Sequence, residues 1–278
     1  MKNIQRIAFF ILSVTLPVSY ASAQITGNGN IVKKEREVKP FTAVVTSNGW
    51  DLVLTQGSTY AMIIETDENL VDKVKTEVKN GTLYIYSDAR IMKSHRRMVH
   101  LTFKELNSIK ASGGAYVSAE TTITAAGKFT LNLSGGSDLK NLNLKAGALT
   151  GNFSGGSDAK ISFVSVQNIG LDASGGSDIV LKNVSGESCT LTLNGGSDAV
   201  LEGSSDKLMI TARSGSDIIA HNLNVKDCVL DLSGSSDAKM NVTGTLDVTL
   251  SGGSDLLCMG NPRVTNRSVC KSCDVSIR

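Results

Sequence analysis

A five-residue phrase returns seven times between residues 134 and 255, and its spacing leaves few folds open. It reads Ser134-Gly135-Gly136-Ser137-Asp138, then Ser154 to Asp158, Ser174 to Asp178 and Asn194 to Asp198. It continues as Arg213 to Asp217, Ser233 to Asp237 and Ser251 to Asp255. The aspartates Asp138, Asp158, Asp178, Asp198, Asp217, Asp237 and Asp255 are separated by 20, 20, 20, 19, 20 and 18 residues. A fixed period near twenty marks a solenoid, in which each repeat is one coil stacked on the next.

Each repeat also carries a strand. Ahead of Asp138 stand Phe129, Leu131 and Leu133 at alternate positions. The next coils place Leu149, Gly151 and Phe153, then Ile169, Leu171 and Ala173, in the same slots. Polar residues lie between them, so one face turns inward and the other toward water. Glycine pairs supply the corner, because positive φ costs glycine little. A coil of this length is too short for a crossover helix. Parallel strands must therefore wind directly into a β-helix, right-handed by the general rule for parallel connections. The expected fold is all-β: a single-stranded right-handed parallel β-helix with coils of about 20 residues.

The first 23 residues read as a signal peptide. Lys2 and Arg6 precede the apolar run Ile7 to Val18, and Ala21-Ser22-Ala23 forms a small-residue cleavage site. No other stretch is a transmembrane candidate, so the expected location is periplasmic, outer-surface or secreted. A net charge of +2 argues against nucleic acid as a partner. Residues 24–110 are expected to form irregular β-rich coils and a cap, and residues 111–278 the regular repeats with a C-terminal cap. Within the first region, Ser47-Asn48-Gly49-Trp50-Asp51 is a degenerate repeat with Asp51 in the aspartate slot. Ser112 to Tyr116 is a second imperfect copy, and Glu68 to Val78 suggests a short helix ended by Asn80-Gly81.

Five cysteines matter in an exported chain. Cys189 and Cys228 occupy the same inward slot two coils apart, roughly 9–10 Å along the axis, beyond disulfide reach. They read as buried apolar residues. Cys258, Cys270 and Cys273 are the disulfide candidates, a terminal staple suiting them better than a redox motif or a zinc site.

At this point the segments resemble a known family. The Gly27-Asn28-Gly29-Asn30 opening, the stretch from Val45 to Gly57, the stretch from Asp67 to Ile85 and the repeated corners are similar to the DUF2807 family. Its members are Bacteroidetes proteins described as autotransporter-adhesin head domains. The resemblance spans the chain after residue 23. It implies a pectin-lyase-like β-helix and an adhesive role with no established catalytic site. Cys270 and Cys273 depart from the glycine- and serine-rich C-terminus usual in the family.

In register, the aspartates line one edge. Neighbours about 4.8 Å apart repel by roughly 0.9 kcal/mol even in bulk water. Either local amide and hydroxyl hydrogen bonds offset this, or a Ca²⁺ ion does, with Asp178 and Asp198 as the candidate ligands. Serine nucleophile chemistry has little support, because the phrase is not a G-x-S-x-G elbow. His95, His100 and His221 sit in no recognisable catalytic pairing, and Lys93 to Arg97 reads as a solvated basic loop or a contact for an anionic glycan. The expected function is a non-enzymatic adhesin or envelope-binding scaffold presenting a Ser/Asp-lined surface. Expected partners are a glycan or other cell-envelope component, with self-association at an exposed end coil. The alternatives are a calcium-dependent polysaccharide lyase or hydrolase, which would need long loops and paired carboxylates, or a purely structural spacer with no ligand.

Overall fold

Alternation winds the chain. Phe129, Leu131 and Leu133 are at most 1% exposed, while Thr130, Asn132 and Ser134 between them point outward in the strand Lys128–Ser134. The backbone turns at Gly135 and Gly136, both at positive φ. It then runs into Asp138–Ser154, a long bent strand that closes one coil and begins the next. In the computed structural model, which describes residues 24–278, about 8 such turns of roughly 20 residues make a β-solenoid that is 69% strand. The expected signal peptide, residues 1–23, lies outside the described residues.

Successive coils pair in parallel. Phe129 lies beside Leu149, Leu149 beside Ile169, and Ile169 beside Cys189. The column after the corners runs Leu139, Ala159, Ile179, Ala199, Ile218, Ala238, Leu256. Large and small side chains alternate along it, which lets adjacent layers interdigitate. Gly151 is an exception among the inward slots, and packing explains it. A Cβ there would lie 2.8 Å from the Leu131 carbonyl oxygen and 3.2 Å from the Phe153 ring, so the missing side chain makes room for the phenyl group. Each fully buried Leu, Ile or Phe contributes roughly 1.5–3 kcal/mol. One unbroken column of such residues fills the stack.

The N-terminal end is built differently. Thr82–Ser87 pairs in parallel with Ala43–Thr46, and Arg97–Phe103 with Asp51–Gln56. The coil made of residues 82–103 therefore lies outside the coil of residues 43–56, although it follows it in sequence. The strands on the other side of residues 43–56 are Ser108–Ser112 and Tyr116–Ala119. Two antiparallel strands cover the outer coil: Ala61–Asp67 on Arg97–Phe103, and Val74–Lys79 on Thr82–Ser87. Ile31–Arg36 adds a further antiparallel edge strand, whose Lys33, Lys34 and Glu35 are the kind of charges that discourage edge-to-edge pairing. Arg36 bolts the two halves of this end together through hydrogen bonds to the Val74 carbonyl at 3.0 Å and Thr76 Oγ1 at 3.1 Å.

The expected helix over residues 68–78 is not formed. A 3₁₀ turn covers Glu68–Lys73, and Val74–Lys79 is a strand. The reason is local: Asn80 and Gly81 both take positive φ, the signature of a tight hairpin turn. The hairpin draws the alternating V-K-T-E-V-K stretch onto Thr82–Ser87.

Candidate functional site

The repeated corner divides its two polar residue types between inside and outside. The second serine of each phrase is buried: Ser137, Ser157, Ser177, Ser197, Ser216, Ser236 and Ser254 are all 0% exposed. Ser177 Oγ donates to the carbonyl of Ser174 in its own corner at 3.0 Å and accepts the Ser157 amide of the previous coil at 3.2 Å. The same pair of bonds recurs at Ser157 and Ser197. From Ser157 to Ser236 these hydroxyls form a continuous internal ladder with donor and acceptor satisfied, and they are structural. The polar surface consists of the aspartates, the first residue of each phrase and the glycine pair.

The aspartate side chains face water, Asp138 being half-buried and the others exposed. Their carboxylates run a second ladder in the opposite sense. Asp158 Oδ1 accepts the Asp178 amide at 3.2 Å, and Asp198 Oδ1 accepts the Asp217 amide at 2.9 Å. Asp217 and Asp237 do the same for Asp237 and Asp255 at 3.2 and 3.0 Å. A hydrogen bond to a charged acceptor contributes about 1.5–3 kcal/mol net, which exceeds the roughly 0.9 kcal/mol repulsion between neighbours in water. At Asp158, Asp198, Asp217 and Asp237 an amide donor therefore offsets the repulsion from a neighbour. Asp178 still feels its neighbours: partial burial, then the Asp158 and Asp198 charges, raise its carboxyl above the ordinary value. At the candidate calcium pair Asp178 and Asp198, no group of three or more His, Cys, Asp or Glu side chains converges; none does among the described residues.

Two further rungs belong to this edge: Asp274, which a search for the phrase itself misses, and Asp51, expected in the aspartate slot of the degenerate repeat. Asp274 donates its amide to Asp255 Oδ1 at 2.8 Å. It follows Asp255 by 19 residues, so the spacing signals it even though Cys270-Lys271-Ser272-Cys273 replaces Ser-Gly-Gly-Ser. Asp51 Oδ1 accepts the Tyr116 amide at 2.8 Å, the same bond at the other end of the stack.

The cysteines follow from this register. Cys270 and Cys273 stand in the first and fourth slots of the last corner and are joined by a disulfide. The bridge replaces the hydroxyl-to-carbonyl bond that closes the other corners. Cys258, the third disulfide candidate, is a free and fully buried thiol. Alternation from Leu256 turns it into the core beside Met240, away from the corner. Cys189 and Cys228 are also free and buried, with Leu208 between them in one column. Burial pushes both thiols up to about 12, so neither is a nucleophile.

The basic segment Lys93 to Arg97 turns onto the cap. The buried Asp67 carboxylate accepts the amides of Gly29 at 2.7 Å and His95 at 2.9 Å, and pairs with the His95 ring at 2.9 Å. Burial alone would raise Asp67, but these bonds and the Arg96 amide outweigh it and hold the carboxyl at about 2. A Cβ at Gly27 would collide with this carboxyl group, which explains the glycine of the Gly27-Asn28-Gly29-Asn30 opening. Glu65 takes Arg96 at 3.2 Å and His100 at 3.0 Å, and Arg97 donates to the Asn48 carbonyl at 2.8 Å. His95 and His100 are thus committed to carboxylates of the cap.

The comparisons with known proteins agree with this architecture. No curated protein matches the chain. Among solved structures, the chain is similar to a "putative adhesin" from Parabacteroides merdae ATCC 43184, with TM-score 0.71 and 20% identity. That match covers 92% of this chain and 99% of the other. A "putative adhesin" from Parabacteroides distasonis ATCC 8503 gives TM-score 0.69 at 19% identity over 91% and 100% of the two chains. A "putative lipid binding protein" from the same organism gives 0.67 at 18% over 92% and 100%. At such identities these likenesses establish the fold. A family model described as "putative auto-transporter adhesin, head GIN domain" matches residues 40–162 and again residues 152–262. Extending over most of the solenoid in this way, the match shows that the chain belongs to the DUF2807 family.

Proposed function

We propose that the protein is an exported, non-enzymatic adhesin or envelope-binding scaffold that makes contact through the aspartate edge. The observation that carries this reading is the exposed carboxylate ladder, which presents one acidic group per coil at a regular rise from Asp138 to Asp274. Such an edge offers a partner many equivalent weak contacts, and multivalency turns these into firm attachment. The adhesin description of the family supports the same reading. The regular corners lack the long loops that would wall a cleft for a polysaccharide lyase or hydrolase. Because amide donors offset the carboxylate repulsion at most rungs, the edge is expected to work without calcium.

The test is adherence. Beads coated with the purified protein are expected to bind envelope preparations and glycan-coated surfaces. Replacing Asp158, Asp178 and Asp198 together by Asn should reduce binding several-fold, and EDTA should leave it unchanged. Absence of binding by the wild-type beads, or soluble cleavage products from the glycan, would overturn the reading. A calcium requirement would remove its cation-free part.

A further inference from the structure

The outward sheet face that precedes the aspartate corners carries a second surface feature. Its central column runs along the axis as Thr150, Gly170, Thr190, Met209, Val229 and Asp247, each beside the next in parallel register. Met209 is 51% and Val229 44% exposed, on adjacent rungs where three other coils place threonine, Thr130, Thr150 and Thr190. Gly170 leaves its rung bare, and a Cβ there would meet nothing within 4 Å. Two depressions result. One of about 420 Å³ surrounds Met209 and Val229, and one of about 270 Å³ surrounds Gly170; Thr190 lines both. The flanks are polar: Asn152 and Asp172 stand beside the bare rung, and Lys207 and Asp227 beside the apolar pair.

This chemistry is that of a surface for sugars. Pyranose rings present apolar C–H faces that pack on side chains such as Met and Val, and hydroxyl edges that bond to amides, carboxylates and hydroxyls. Coils repeat at about 4.8 Å, close to the length of one ring in an extended chain, so successive sugars meet successive rungs. The charges select further. The two depressions carry Asp172, Asp227 and Asp247 against Lys207 alone, which repels a polyanion.

We propose that this face is a trough for an uncharged polysaccharide lying along the solenoid axis, with Met209 and Val229 beneath its rings. The proposal rests on the surface-binding reading above and assigns it a second, separate contact on another face.

The test is affinity electrophoresis of the purified protein in gels containing soluble β-glucan, mannan or arabinoxylan, with alginate as the anionic counterpart. Retardation by at least one uncharged polymer and none by alginate is expected. Gly170→Arg, which fills the bare rung without a backbone clash, should weaken retardation about tenfold. The pair Met209→Thr and Val229→Thr, which copies Thr190, should do the same, with melting temperatures unchanged in both variants. Lys145→Gln, at an exposed position that belongs neither to the trough nor to the aspartate edge, should bind like wild type. Unchanged retardation in both trough variants, retardation by alginate alone, or none by any uncharged polymer would overturn the trough. Bead adherence persisting through those results would leave the aspartate edge standing, so the two proposals fail separately.

Discussion

At the scale of single residues, Asp67 concentrates the tension between burial and charge. Its carboxylate is 0% exposed, yet its pKa lies at about 2 against an ordinary 3.8, because backbone amides and the His95 ring solvate it in place of water. A carboxyl group depressed by folding stabilises the native state above its unfolded pKa, and that contribution fades as pH falls through the folded value. Asp67→Asn keeps the shape but turns an amide toward N–H donors, at a cost of about 2 kcal/mol. In urea unfolding, the gap between wild type and Asp67→Asn should be constant above about pH 5 and close as pH falls toward 2. A gap independent of pH would mean that packing alone accounts for the loss. Asp178 has the opposite sign: its raised pKa makes its ionised form a mild liability to folding, relieved as pH falls. Little of this was legible in the sequence. The Gly27-Asn28-Gly29-Asn30 opening stands out as a motif, but its partner Asp67 lies some forty residues away, just ahead of a stretch that reads as a helix.

The unit at the next scale is the corner, where alternation carried most of the information. The period of twenty, the inward columns and the aspartate slot all follow from spacing, because a stacked coil repeats its environment as it repeats its sequence. The division of labour within the phrase was harder to see. Serine and aspartate look alike as polar turn residues, and only the two-residue step from Ser137 to Leu139 places the serine inside. The hydrogen bonds give that distinction an energy. Ser177→Ala strips the acceptor from the Ser157 amide and the donor from the Ser174 carbonyl. Leaving two buried groups unpaired at about 1–3 kcal/mol each predicts a loss of roughly 2–6 kcal/mol. Ser174→Ala, one slot into the exposed side, should stay within about 0.5 kcal/mol. Denaturant midpoints of the two variants measure the difference, and equal losses would show that the internal ladder contributes nothing. The cap was least legible, because its outer coil pairs with strands that are not its neighbours in the chain, and no periodicity announces such a pairing.

For the whole molecule, the stack is quasi-one-dimensional, so damage at one end stays there. The Cys270–Cys273 bridge closes the last corner, and its removal should loosen residues 263–278 while the central coils keep their protection from hydrogen exchange. Cys270→Ser with Cys273→Ser restores the serines of the regular corner and should protect this coil better than the corresponding double alanine variant. Equal exchange in the two variants would show that the corner hydrogen bond cannot substitute for the bridge. The opposite end has a different logic. The coil of residues 43–56 is flanked on both sides by segments that come later in the chain, so its outer side stays uncovered until residue 103 has been made. From residue 106 onward the order of synthesis and the order of stacking coincide, and every new turn finds a completed edge to settle on. The cap thus offers a finished edge to every later turn, and the disulfide ties the corner at Cys270 and Cys273.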